Sequence, residues 1–427
     1  MTPAPAGARA GEPGGNGEGR AGAGAGNGRH RGAWGSGPIA GQGRIAHAWR
    51  AARRTAPPGH LDAAGCNVPS DRVLDAVVTH LRLERERGGY RAVPGLGAPR
   101  SALAALADAG PADVAFLESG TAAMAALLGG WRLTGRRAGR APRVGFPRTE
   151  YGSTLMLLRR LAARYGWEPA VLPVDGDGRM ALEDLEAGLA AGLDLVIVSH
   201  IASHRGTVQP AREIGELCRA AGVPYVLDVC QSLGHVDVRG AGATAYVGTS
   251  RKWLAGPRGA GFLIVPGLTP AMDAAAPALG GHLWDEAAPE GVAPLPGAAR
   301  YESAEAAIGA RIGLGTAVLE HHALGPAAVY EHLAALGRTA RHVLDGAGGW
   351  RVAEPLDEPS ALVTLRPPPG DTAERAAARA GTASLLVSVV PTARAPLDLR
   401  EPVLRVSPPP GTPAETLQAL ARVLVSS

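Results

Sequence analysis

Residues 193–200 read LDLVIVSH, built around the unbroken apolar run LVIV, and no other feature restricts the fold as much. A strand that is apolar on both faces must be covered on both, as in a parallel sheet layered by helices. The surrounding pattern agrees. Arg143–Phe146, Tyr225–Val229, Ala245–Val247 and Phe262–Val265 read as further short strands, and VLPVDGDG as a strand entering a turn. Apolar spacings of three and four mark helices at Leu74–Leu83, Ala122–Leu128, Ser153–Tyr165, Leu182–Leu189 and Arg212–Ala221. This alternation predicts an α/β fold with a large, mostly parallel sheet and helices on both faces. Beyond residue 300, apolar helices near Ala304–Leu319 and Val329–Leu344 precede the strand-like runs ALVTL and LLVSVV. With a terminal helix around Ala414–Leu424 they predict a smaller C-terminal α+β domain.

The first 46 residues, rich in glycine with few large apolar side chains, bury too little surface to offset the entropy of ordering them. The expected division is therefore a disordered extension over 1–57, a large domain over 58–300 and a small one over 301–427. No apolar core follows the early arginines, so the extension is not a secretory signal. No apolar run approaches the ~20 residues a membrane span requires. Lys and Arg number 43 against 39 Asp and Glu. With no basic stripe along the chain, a nucleic-acid partner is not expected. Three cysteines (Cys66, Cys218 and Cys230) fit neither a disulfide framework nor a zinc site. A cytoplasmic protein without a metal is the expectation.

Three features carry chemistry. Asp228 ends an apolar strand in YVLDVCQSLGH, where ligands of open α/β sheets collect. A carboxylate there pairs with a cationic ring nitrogen, or merely caps a loop. Lys252 follows in GTSRKWLAGPRGAGFL. Its amine can condense with an aldehyde cofactor and then act as a base, whereas an ordinary lysine is a solvated surface group. Ser250 precedes it, and Gly256, Pro257, Gly259 and Gly261 dictate a tight turn. Ser119-Gly120-Thr121 opens a helix whose free N–H groups suit a phosphate, though Ser119 equally serves as an N-cap.

The run from SHIASHRGTVQPAREIGELCRAAG through VLDVCQSLGHVDV to TSRKWLAGPRGAGFL resembles the class V aminotransferase family of fold-type I pyridoxal-phosphate enzymes, over roughly residues 58–427. The resemblance implies pyridoxal 5'-phosphate as cofactor, with Lys252 as its covalent carrier and Asp228 on the pyridine nitrogen. It implies Gln231 on the ring phenolic oxygen, Tyr151 (in RTEYGSTL) stacked on the ring, and Gly120, Thr121, Ser203 and Ser250 among the cofactor contacts. Arg405, in LRVSPPPGTPAE, resembles the family arginine that grips a substrate carboxylate, and His204 is a further substrate candidate beside His200. Two departures stand out. Ser203-His204-Arg205 replaces a common Asn-containing stretch, and Arg251 stands where a histidine often precedes the lysine. A homodimer is implied, with the neighbourhood of Ser303 facing the partner.

Such a cofactor opens transamination, epimerisation or β-elimination on an amino acid. Desulfuration of cysteine needs a nucleophilic thiol on a mobile loop, and no cysteine follows Cys230. The segments HLDAAGCNVPS, EYGSTL and YVGTSRKWLAGPRG resemble the family's carbon–sulfur lyase branch in ergothioneine biosynthesis, which implies β-elimination from a cysteine sulfoxide. An aminotransferase or an enzyme like isopenicillin N epimerase is the alternative. Asp285 and Glu302, and the aromatic faces of Trp253, Trp284 and Tyr301, are candidates for a substrate trimethylammonium; each is equally explained by packing.

Overall fold

A computed structural model describes residues 40–136 and 139–426. The expected fold is present. Seven strands form one sheet in the order β1-β7-β6-β5-β4-β2-β3. They are β1 (Val114–Leu117), β2 (Arg143–Pro147), β3 (Glu168–Leu172), β4 (Leu195–Ser199), β5 (Tyr225–Asp228), β6 (Ala245–Thr249) and β7 (Gly261–Ile264). All pairings are parallel except the two made by β7, which runs antiparallel to both β6 and β1. Strand β4, within the run LDLVIVSH, is buried along its whole length. Apolar side chains of alternating parity leave it for two separate cores. Val196 and Val198 enter one, and Leu195 and Ile197 the other, which is the covering on both faces that the sequence demands.

A hairpin of β8 (His282–Trp284) and β9 (Val292–Pro294) lies outside that sheet. A second, four-stranded antiparallel sheet follows in the order β10-β11-β13-β12. Its strands are β10 (Arg351–Val352), β11 (Val363–Arg366), β12 (Ser388–Val390) and β13 (Val403–Val406). Helices Pro326–Leu344, Ala373–Thr382 and Ala414–Val425 pack on it through a core of their own.

Three sequence expectations need correcting. The stretch 1–57 is not uniformly an extension without structure: residues 1–39 lie outside the described residues, but Ala40–Ala51 form a helix. Ile45 and Trp49 of that helix are buried, and Arg53 stacks 3.5 Å from the Trp49 ring centre. Two large apolar side chains four residues apart sufficed for an amphipathic face, and the glycine-rich surroundings masked them. Residues 60–62 also do not keep to the large sheet. His60 pairs with Leu386 and Asp62 with Ser407, beside the second sheet. VLPVDGDG starts too late as well, because β3 begins at Glu168, on the edge of the sheet where apolar patterning is weakest. No helix among the described residues is long and apolar enough to cross a membrane.

Candidate active site

Because β1 and β6 both run against β7, the strands β1, β2, β4, β5 and β6 all point the same way. The chain leaving each of them lines one cavity of about 250 Å³. From β1 come Ser119, Gly120 and Thr121; from β2, Tyr151; from β4, Ser199 and Ser203. Asp228, Cys230 and Gln231 come from β5, and Thr249, Arg251 and Lys252 from β6. One lining residue arises elsewhere: Arg394, on the segment after β12. Seven expected site residues therefore meet: Gly120, Thr121, Tyr151, Ser203, Asp228, Gln231 and Lys252.

At the β1 end the helix Gly120–Gly130 begins with Ser119 as N-cap, its oxygen accepting the Ala122 N–H at 3.1 Å. A Cβ at position 120 would lie 2.4 Å from the Cys230 sulfur. Glycine there lets the helix terminus approach the end of β5. Asp228 accepts the Cys230 N–H on Oδ1 at 2.8 Å, which fixes the carboxylate at the cavity wall. Gln231 donates from Nε2 to the Ala64 carbonyl and accepts the Trp253 indole N–H, each at 3.0 Å. His235 stacks on Trp253 with ring centres 3.7 Å apart. Burial brings His235 down to about 3, so the ring is neutral. Its Nδ1–H donates to the Gln231 carbonyl and its Nε2 accepts the Ala361 N–H. Gln231 is thus held from both sides.

Lys252 is buried, and burial lowers its pKa to about 8 against the opposing pull of Cys230 and Asp228. A buried amine of depressed basicity is what condensation with an aldehyde requires. It is also the only lysine in the chain. Every other basic side chain among the 43 is an arginine, and no arginine forms that imine. This count is legible in the sequence and is the sharpest signal that motif spacing alone misses.

A further buried group is Glu150. Its oxygens accept N–H groups from Tyr151 and Ser199 at 2.8 Å and the Ser199 hydroxyl at 2.7 Å. Burial first, and then the neighbouring Asp228, raise its pKa to about 7. Ser199 stands opposite Asp228 in the β4–β5 register, so Glu150 anchors the strand beside the strand-end carboxylate. Nothing in its spacing marks it, since the contact exists only once β2, β4 and β5 are side by side.

Three expected site residues stand elsewhere. Ser250 is fully buried, and the end of β6 turns Thr249 and Arg251 to the cavity while Ser250 faces Gly256. A Cβ at position 256 would sit 2.2 Å from the Ser250 oxygen. His204 points away from the cavity and bonds Asp398 at 2.8 Å. Arg405 lies behind Ser203. It donates Nη1 to the Ser203 carbonyl at 3.0 Å, and Nη2 to Asp62 and to Ser388 at 3.1 Å. His200 is buried without lining the cavity. Of the trimethylammonium candidates, Trp253 and Tyr301 are buried in cores and Trp284 is exposed on β8. Asp285 bonds the Ala287 N–H, and Glu302 bonds Arg100 and the Phe116 N–H. Packing explains Trp253 and Tyr301, local bonds explain Asp285 and Glu302, Trp284 is exposed, and none of the five lines the cavity.

The donor set fits pyridoxal phosphate. Lys252 supplies the amine, Asp228 a carboxylate for the ring nitrogen, Tyr151 an aromatic face, and the Gly120 helix terminus a phosphate cradle. Among the described residues no cluster suits a metal ion. Cys230 is the one thiol at the cavity, and burial, then Asp228, push its pKa well above the ordinary thiol value.

Comparison with known proteins points the same way. The sequence profile of the class V aminotransferases matches residues 86–374. A protein of Mycobacterium tuberculosis (strain CDC 1551 / Oshkosh) named a probable hercynylcysteine sulfoxide lyase is 40% identical over 392 residues, covering 90% of this chain and 93% of its own. A probable cysteine desulfurase of Methanothermobacter thermautotrophicus is 29% identical, over 64% of this chain and 69% of its own. Among solved structures, the apo cysteine desulfurase of Thermococcus onnurineus NA1 superposes with a TM-score of 0.73 at 20% identity, over 86% of this chain and 93% of that one. The cystine C–S lyase C-DES, in complex with its product cysteine persulfide, gives 0.75 at 19% identity, over 87% and 98%. At those identities the superpositions establish the fold.

Proposed function

This chain belongs to the class V aminotransferase family of pyridoxal-phosphate enzymes, and from that premise we propose that it is a carbon–sulfur lyase acting on hercynylcysteine sulfoxide. The observation that carries the reading is what faces the cavity from the segment after β12: a guanidinium, Arg394, and no thiol. Desulfuration stores the sulfur on a nucleophilic cysteine. The only thiol at this cavity, Cys230, is held protonated on a strand end and is a poor nucleophile. Elimination needs no such acceptor, since the sulfur departs with its substituent. The likeness to the mycobacterial lyase supports a sulfoxide substrate.

Bound between Asp228 and Lys252, pyridoxal phosphate supplies an electron sink for the pair released when Cα loses its proton. The residues of the chain do the rest. Asp228 would hold the ring nitrogen protonated and Tyr151 would cover a face of the ring. Lys252 would remove the Cα proton. The Cα–Cβ double bond then forms as the Cβ–S bond breaks, and sulfur leaves with the bonding pair as a sulfenate. The sulfoxide oxygen stabilises that charge, so no strong acid is required at the sulfur. The three-carbon fragment, released as 2-aminoacrylate, adds water and yields pyruvate and ammonia. The sulfenic acid becomes ergothioneine on reduction by an external thiol. A homodimeric working unit and contacts from Ser203 and Ser250 to the cofactor belong to the same proposal and rest on the family resemblance, while a cytoplasmic location rests on three cysteines that fit no disulfide framework and a domain division near residue 300 on the change of sequence pattern there.

The test is incubation of the holoenzyme with hercynylcysteine sulfoxide and a thiol reductant. One pyruvate and one thione should form per substrate consumed, without an added keto acid. Accumulation of the amine form of the cofactor, or solvent deuterium at Cα without pyruvate, would replace this reading with transamination or epimerisation.

A further inference from the structure

We propose that Arg394 is a specificity residue that holds a second carboxylate of the substrate, the one on the trimethylhistidine portion, far from the reacting Cα. The inference rests on the lyase reading above and adds a residue to it.

The cavity lining goes beyond the groups assigned to the cofactor. Beyond Tyr151 it continues between helices Gly120–Gly130 and Gly152–Tyr165, along Met124, Ala125, Ser153, Thr154 and Leu157, and Arg394 lies on that wall. Cations outnumber anions there. Arg251, Lys252 and Arg394 line the cavity against one carboxylate, Asp228. Lys252 is committed to the cofactor aldehyde and Asp228 to the ring nitrogen. Arg251 adjoins Lys252 at the end of β6, where its charge acts on the amine. Arg394 is left over.

It is also unspent. Among the described residues its guanidinium, like that of Arg251, has no hydrogen bond or ion pair, whereas three other nearby arginines are engaged. Arg405 is tied to Asp62 and Ser388, and Arg148 and Arg205 are tied to Asp398. The segment that carries it is nevertheless firmly placed. Thr392–Arg394 form a tight helical turn against the start of helix Gly152–Tyr165, where a Cβ at Gly152 would sit 2.1 Å from the Ala393 carbonyl oxygen. Four residues on, the buried Asp398 pins the same segment to His204, Arg205 and Arg148. A half-buried, pre-placed guanidinium with free donors is a fork for a carboxylate. By the family resemblance the α-carboxylate falls to Arg405, whose Nε has no partner among the described residues, and the phosphate to the Gly120 helix, so the group left for Arg394 is a distal one.

Two substrates that differ in one charge test this: hercynylcysteine sulfoxide, and the same compound with the trimethylhistidine carboxylate converted to a primary amide. In the holoenzyme, Arg394→Gln should cut kcat/KM for the acid by roughly 10- to 100-fold, the scale of a lost charge-assisted hydrogen bond. The loss should appear mainly in KM, be at least tenfold smaller for the amide, and be partly restored by Arg394→Lys. Equal losses on acid and amide, or a variant whose defect is cofactor affinity measured by absorbance titration, would overturn the assignment. So would a wild-type enzyme that does not distinguish acid from amide. Pyruvate from neither compound in the wild type would instead overturn the lyase reading, and this inference with it.

Discussion

The side chain that matters most is the one the chain keeps in a single copy. Lys252 is the only lysine among 427 residues, and it is buried at the end of β6 beside Asp228. Burial lowers its pKa from 10.5 to about 8, so below pH 8 the apoprotein carries a buried ammonium at a cost of about 3 kcal/mol. That cost shrinks as pH rises from 8 towards 10.5, where the amine is neutral folded and unfolded alike. Lys252→Met apoprotein is therefore expected to unfold at higher denaturant than wild-type apoprotein at pH 7, with the gap closing above pH 8. A gap independent of pH would refute the burial argument. Asp228→Asn removes the charge proposed to keep the ring cationic. It should lower kcat by about 10²-fold or more while the protein still binds cofactor, as absorbance and single-turnover rates would show. At this scale residue chemistry and chain position together single out Lys252 and Asp228, and both line the cavity. Three other expected residues do not line it: Ser250 faces Gly256, His204 bonds Asp398, and Arg405 bonds Asp62. Glu150 and Arg394 carry no local signature, because their significance depends on strands and segments far apart in the chain.

Elements explain why the site sits where it does. Five parallel strands deliver their following residues to one edge, and close approach there depends on small side chains. A methyl group at position 120 would meet the Cys230 sulfur at 2.4 Å and the Gly248 carbonyl oxygen at 3.3 Å. Gly120→Ala should thus cost about 1–3 kcal/mol in stability and weaken cofactor binding. Adding Cys230→Ala removes the closer contact and should recover most of that loss. A double variant no better than the single one would mean that the Gly248 carbonyl, not the thiol, sets the constraint. Periodicity placed most helices and strands within a few residues, since β4 and its neighbours are apolar enough to announce themselves. It missed β1, whose four residues VAFL are too short to stand out, and the direction of β7, which depends on pairing rather than pattern.

On the scale of the whole molecule, the least legible part was the beginning. The helix Ala40–Ala51 packs against the helix Pro326–Leu344 and brings Ile45 into a core with Val329 and Leu333, while Trp49 is buried beneath Arg53. Trp49→Ala is expected to destabilise the protein by about 3 kcal/mol or more, read as a lower urea midpoint. No change would mean that this helix is dispensable, as the composition of the first 57 residues suggests. The fold, the cavity and the proposed reaction all converge on an imine at one nitrogen. The direct measurement is borohydride reduction of the holoenzyme followed by peptide mapping and mass analysis. One pyridoxyl adduct per chain should appear on Lys252 and vanish in Lys252→Ala; an adduct on the terminal amine alone, or none in protein saturated with the cofactor, would contradict the account.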